Sequence, residues 1–277
     1  MIANIESVIT STNPHAVKTK MMSTFTELNT LYNKFGYTVQ SSLSPAHFPG
    51  FNLADIPFTY IYKDGEKMCV GGGISLSEIA FFEALFENYH PANVFIIGNS
   101  FGWSTLALGI INPNACTVAI DLCPRPNEEI GLEVTNMMAQ SLGLKIRALK
   151  GRSPEAVKPT VAAEFDGPME FVFIDGGHTP EHMNMDFNAC REVASEDCIY
   201  VFHDVINFQL TDAFIKIAQA SPHLISSLLL RTPSGMAICY PPMLEDKIGQ
   251  VVRAFTETEE RSNALHAEGR RRAAEHK

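Results

Sequence analysis

Phe171–His178 reads FVFIDGGH. Four apolar residues of the kind that fill a buried strand run directly into an aspartate, two glycines and a histidine. A strand that ends in an acid delivers that acid to the edge of a sheet, where chemistry can reach it. The two glycines turn the chain, so that His178 can face the same side as Asp175. This stretch therefore reads as a buried strand that terminates in a functional turn.

Working outward, the same design recurs. VFIIG (from Val94), CTVAID (from Cys116), KIRALK (from Lys145) and CIYVFHD (from Cys198) are further short apolar runs. Between them lie helical patterns: WSTLALGII, NEEIGLEVTNMMAQSLG, SPEAVKPTVAAEF and PEHMNMDFNACREVA. Strands that are apolar throughout and alternate with helices predict a parallel sheet covered by helices on both faces. After FQLTDAFIKIAQA, the runs HLISSLLL and GMAICY predict a closing strand pair. The fold class is thus α/β, Rossmann-like and doubly wound, with a mainly parallel sheet.

Three zones follow. Residues 1–90 form an N-terminal extension of helix and loop, expected to pack over the carboxyl end of the sheet as a lid or to make a dimer contact. In it, HAVKTKMMSTFTELNTLYNKF (15–35) predicts a helix and 41–73 a Pro-, Phe- and Gly-rich loop. Ser75 and Glu78 stand at capping-box spacing before another helix. Residues 91–242 form the α/β domain, and 243–277 a charged helical tail.

Composition narrows the partners. The 277 residues are 45% hydrophobic and carry a formal charge of −10, which speaks against a nucleic-acid partner. The dense basic run Arg270–Arg272 reads equally as a solvated helix end. No apolar run approaches the roughly 18 residues of a membrane span, and MIANIESVITSTNPH is not a signal-peptide pattern. Six cysteines without CxxC spacing, several in apolar runs, predict reduced buried thiols and a cytoplasmic protein.

Ligands of open parallel sheets bind beyond the carboxyl ends of the strands. The first such end, VFIIGNSFGWST, offers Gly98, Ser100 and Gly102. A dinucleotide fingerprint wants glycine where Ser100 and Trp103 stand, so a nicotinamide cofactor is disfavoured, and no P-loop lysine follows. Asp121 ends the second strand, where an acid can accept from both ribose hydroxyls or simply cap the next turn. Ser153 after the third strand reads as an N-cap with Pro154 following, or as a ligand contact. A ligand of ribose and adenine without pyrophosphate suits all three places.

At the other end, Asp175 and Asp204 finish neighbouring strands, with His203 beside Asp204. Two carboxylates brought together invite a divalent cation between them. His178 beside such a cation is a candidate general base. The plainer alternatives are helix capping for the acids and a backbone hydrogen bond for His178. His182, Asp186 and Asn188 read as solvent or capping residues, and Phe101 and Trp103 as core or substrate-stacking residues.

Taken together, the glycine loop, Asp121, FIDGGH and FHD resemble class I S-adenosylmethionine-dependent methyltransferases. More narrowly, the chain is similar to the metal-dependent catechol and sugar O-methyltransferases, over about Asn93 to Tyr240. The resemblance implies a seven-stranded sheet with an antiparallel last strand and S-adenosylmethionine as cofactor. It implies that Gly98, Asn99, Ser100 and Gly102 hold the methionine part, and Asp121 the ribose with Leu122 beside it. Arg152 and Ser153 would lie by the adenine, and Asp175 would touch both cofactor and metal. The metal set would be Asp175, His203 and Asp204, for Mg²⁺ or Mn²⁺ and less readily Fe²⁺, with His178 as base. Two departures stand out: Ile96 occupies a position that often carries an acid, and His203 one that usually offers oxygen.

The function these features imply is O-methylation of a small hydroxylated molecule. The alternative is a cofactor-binding regulatory protein on the same fold. The tail hints at a homo-oligomer. Phe48, Phe51, Phe58 and Tyr60 are candidates for the substrate wall or for core.

Overall fold

The computed structural model describes residues 23–41, 58–69, 71–125 and 128–258, and beyond these residues 260, 261, 264, 267 and 271. Phe48, Phe51, Arg270, Arg272 and the first part of the helix expected at 15–35 lie outside the described residues.

Seven strands form the central sheet: β4 (Asn93–Ile97), β5 (Cys116–Asp121), β6 (Ile146–Lys150), β7 (Met169–Ile174), β8 (Ala194–Phe202), β9 (Ile225–Leu229) and β10 (Met236–Tyr240). Their order is β6-β5-β4-β7-β8-β10-β9. β4 through β8 pair in parallel, while β10 runs antiparallel to both β8 and β9. This is the seven-stranded, mainly parallel sheet with an antiparallel last strand. β6, β5 and β4 wind one way and β7 and β8 the other, so a crevice opens beyond the ends of the adjacent strands β4 and β7.

Alternate residues of each strand feed two cores, as the period of two requires. Val94, Ile96, Phe171, Phe173, Ile199 and Val201 enter one apolar cluster. Their neighbours Phe95, Ile97, Val172, Ile174, Tyr200 and Phe202 enter the other. Helices α2 (Leu76–Asn88), α3 (Trp103–Ile111), α4 (Glu129–Leu142) and α8 (Glu245–Phe255) contribute to the first. Helices α5 (Val157–Glu164), α6 (Pro180–Arg191) and α7 (Thr211–Ala220) contribute to the second. Both faces are covered.

The first cluster runs from Phe25, on α1 (Thr24–Lys34), to Val252 on α8, so both ends of the described chain share the sheet's core. α2 starts as its sequence requires: Ser75 Oγ accepts from Glu78 N, and a Glu78 carboxylate oxygen accepts from Ser75 N at 2.8 Å. Just before and within the segment read as loop, the structure adds a small antiparallel sheet of β1 (Thr38–Gln40), β2 (Tyr60–Lys63) and β3 (Glu66–Lys67). Strands of two to four residues leave too little alternation to be seen in a sequence. Ser153 does not cap α5, whose N-cap is Ala156.

All six cysteines are free; Cys116 is half-buried and the other five are buried. Among the described residues, no helix is long and apolar enough to cross a membrane.

Candidate active site

A cavity of about 500 Å³ opens beyond the carboxyl ends of β4, β5, β7 and β8. At one end stand Gly98, Asn99, Ser100 and Asp121; at the other, Asp175, His178 and Asp204. Residues 58–61, 67–69 and 71–73 of the N-terminal zone line it as well, Phe58 and Tyr60 included.

The loop after β4 is tight. Gly98 has φ +98°, and a Cβ there would come within 2.1 Å of the Asp175 carbonyl oxygen. Two strand ends therefore approach so closely that only glycine fits. Asp121 holds the loop: its Oδ2 accepts from Asn99 N at 2.8 Å and Ser100 N at 2.7 Å, and its Oδ1 from Cys123 N at 2.9 Å. Oδ2 is then filled, and Oδ1 also accepts a weak bond from the Cys123 thiol at 3.6 Å, which a ligand hydroxyl can displace. The Asn99 side chain turns inward, donating to Thr135 Oγ1 and accepting from Thr105 Oγ1, so it offers only backbone to the cavity. Ser100 sits at φ +45° with its Oγ buried and unpartnered. Strained backbone and an orphaned hydroxyl on a cavity wall are what a polar ligand's site leaves behind.

The remaining sequence-derived contacts stand elsewhere. Gly102, at φ +80°, starts α3 against Thr135 and does not line the cavity. Leu122 is exposed, Arg152 pairs with Glu155, and neither they nor Ser153 form its wall. Instead Pro124, Arg125 and Glu128 do. Ile96, where an acid is often found, is fully buried in the first core.

At the other end, Asp175, His178 and Asp204 each offer a ligand atom within 4.8 Å of the others. His178 Nε2 lies 3.1 Å from Asp204 Oδ2 and 3.6 Å from Asp175 Oδ1. Neither contact has hydrogen-bond alignment, so both are ion-pair contacts. The His178 ring stacks on Phe208, with centroids 4.2 Å apart and planes 15° from parallel. Burial disfavours the charged ring, but Asp175 and then Asp204 outweigh it and push the His178 pKa up to about 9. Asp204 has φ +58°, and its own pKa is lowered: burial works against this, but the two histidines overcome it. Two carboxylates and an imidazole converging on a cavity make a donor set for a divalent cation.

His203, read as a metal ligand, is not part of this cluster. Its ring is fully buried behind it, with Nδ1 3.1 Å from Asp175 Oδ1 and 3.5 Å from Asp204 Oδ2. Its Nε2 faces Glu78 Oε2 at 3.3 Å. The same three acids hold its pKa well above the usual value against the opposing effect of burial.

Asp186 is also not where the sequence reading put it. It is fully buried with both carboxylate oxygens unpartnered, beneath the turn at Gly176. Burial pushes its pKa up to about 6 although Ser153 and His182 nearby pull it down, neither of them in hydrogen-bond alignment with the carboxylate. The signal was present: Met183, Asp186, Phe187 and Cys190 keep helical spacing and all are buried. Trp103 is core, its Nε1 donating to the Ile74 carbonyl at 2.9 Å, although one edge reaches the cavity.

A doubly wound sheet of this order, with its polar cavity at the switch point, is a Rossmann-like fold. Residues 95–205 match the family model of a methyltransferase domain. Among solved structures it is similar to cofactor-bound Rv0187 from MTB, at 19% identity over 61% of this chain and 81% of that one, with a TM-score of 0.50. It is also similar to TomG from Streptomyces achromogenes, an O-methyltransferase involved in tomaymycin synthesis and solved in complex with SAM. That match has 13% identity over 81% of this chain and 92% of that one, with a TM-score of 0.52. At these identities the likeness is one of fold. No curated protein matches the chain by sequence.

Proposed function

We propose that this chain is an S-adenosylmethionine-dependent O-methyltransferase of a small hydroxylated molecule. One observation carries the reading: a single cavity is walled by the Gly98–Ser100 loop with Asp121 and, at its other end, by Asp175, His178 and Asp204. A cofactor at the first end would present its methyl group to an acceptor at the second.

The loop backbone at Gly98 to Ser100 and the orphaned Ser100 hydroxyl would hold the amino-acid part of the cofactor, and Asp121 Oδ1 the ribose. The cofactor supplies an electrophilic methyl on a sulfonium. Asp175 and Asp204 would hold a divalent cation, which supplies positive charge that acidifies a nearby hydroxyl, with His178 Nε2 beside it left for the proton.

His178 has a double place in this scheme. With bare carboxylates beside it, the ring keeps its proton at neutral pH. Neutralising those carboxylates frees Nε2 to accept the acceptor's proton, so base and cation site are coupled. Phe58, Tyr60 and Phe208 line the same cavity, Phe208 stacked on the His178 ring, and would offer an apolar wall to the acceptor. Holding the acceptor oxygen in line with the methyl is then the larger share of the rate.

The test is transfer of a labelled methyl group to a panel of small diols and phenols, with and without Mn²⁺. Turnover that needs the cation, and falls at least a hundredfold in His178→Ala with S-adenosylhomocysteine affinity retained, is expected. Loss of cofactor affinity in His178→Ala would contradict the base assignment.

A further inference from the structure

Glu78 begins as an ordinary helix-capping acid. Its Oε2 accepts from Ser75 N, and its Oε1 accepts from Ser234 N at 3.2 Å and from Ser234 Oγ, 156 residues away. The side chain is fully buried, which capping alone does not require. The reason lies on its other side: Oε2 is also 3.3 Å from His203 Nε2, and the opposite ring nitrogen is 3.1 Å from Asp175 Oδ1. Both nitrogens of a fully buried imidazole are thus committed to carboxylates from separate elements. A ring held at both edges cannot turn, and has no nitrogen left for a cation in the cavity.

We propose that Glu78 is a positioning residue: through His203 it fixes the Asp175 carboxylate, and so sets the affinity of the Asp175–His178–Asp204 cluster for a divalent cation. Three parts of the fold meet in this clamp: the start of α2, the end of β8 and the turn before β10. Partners of this kind, one shell behind the ligands, typically change metal affinity by about 10–100-fold. The inference rests on the reading of that cluster given under Proposed function.

The test uses the full chain after chelator treatment, titrated with Mn²⁺ and separately with S-adenosylhomocysteine. In Glu78→Gln we expect Mn²⁺ affinity to fall about tenfold, with S-adenosylhomocysteine affinity within about twofold of wild type. Ser75→Ala removes the capping hydroxyl and leaves the His203 contact, so its Mn²⁺ affinity should match wild type. If Glu78→Gln does not fold, Ser234→Ala loosens the same carboxylate from outside and should weaken Mn²⁺ about threefold. Unchanged Mn²⁺ binding in Glu78→Gln, or an equal loss in Ser75→Ala, would overturn the inference alone. A wild-type chain that binds no Mn²⁺ would overturn the cation reading and the inference with it.

Discussion

His178 Nε2 and Asp204 Oδ2 are 3.1 Å apart, and this pair couples the proton on the ring to the carboxylate charge beside it in the cavity. With the His178 pKa raised to about 9, the ion pair stabilises the folded chain most below the unfolded pKa of about 6.5. That stability is lost as pH rises from there through about 9. For chelator-treated protein we expect a loss on the order of 1–3 kcal/mol between pH 6.5 and 9.5 by urea unfolding. His178→Gln should flatten that slope. An unchanged slope would show that the pair is not formed.

Asp186 gives a prediction of opposite sense. Its folded pKa of about 6 lies above the ordinary carboxylate value, so the folded state favours its protonated form. Stability is fullest below about pH 3.8, falls as pH rises through about 6, and stays lower above. Asp186→Asn removes the buried charge and should stabilise the chain by about 1–2 kcal/mol at pH 8, with little effect near pH 3.5. Thermal melts at the two pH values check this. Destabilisation at pH 8 would mean that the carboxylate has a partner in solution.

Gly98→Ala adds a Cβ within 2.1 Å of the Asp175 carbonyl, at a φ that disfavours any side chain. One of the two strand ends must move. We expect a loss of roughly 2–4 kcal/mol in urea unfolding, together with loss of S-adenosylhomocysteine binding.

Asp121→Asn tests the loop's anchor. An amide cannot accept the two loop N–H bonds, now on one oxygen, and the Cys123 bond on the other. S-adenosylhomocysteine affinity should fall about ten- to a hundredfold, with the fold retained. Wild-type affinity in this variant would remove Asp121 from the account.

The sheet was legible because Val94–Ile97, Phe171–Ile174 and Ile199–Phe202 are buried on both faces, which leaves apolar runs with no polar alternation. The cavity's acids were legible because each ends such a run. What stayed hidden depends on partners distant in sequence. His203 and Asp204 are adjacent, and nothing local says which faces the cavity. That is decided by Glu78, 125 residues away from His203. Glu78 itself announced only its cap, since its second role needs Ser234 and His203 brought to it. Arg125 and Glu128 follow Asp121 in a stretch with no strand or glycine pattern to mark it.

The most direct measurement is calorimetric titration of chelator-treated protein with S-adenosylhomocysteine, followed by Mn²⁺, in wild type and Asp204→Ala. The account predicts micromolar binding of S-adenosylhomocysteine in both, and a Mn²⁺ heat that only the wild type gives. Absence of S-adenosylhomocysteine binding, or an equal Mn²⁺ heat in Asp204→Ala, would contradict it.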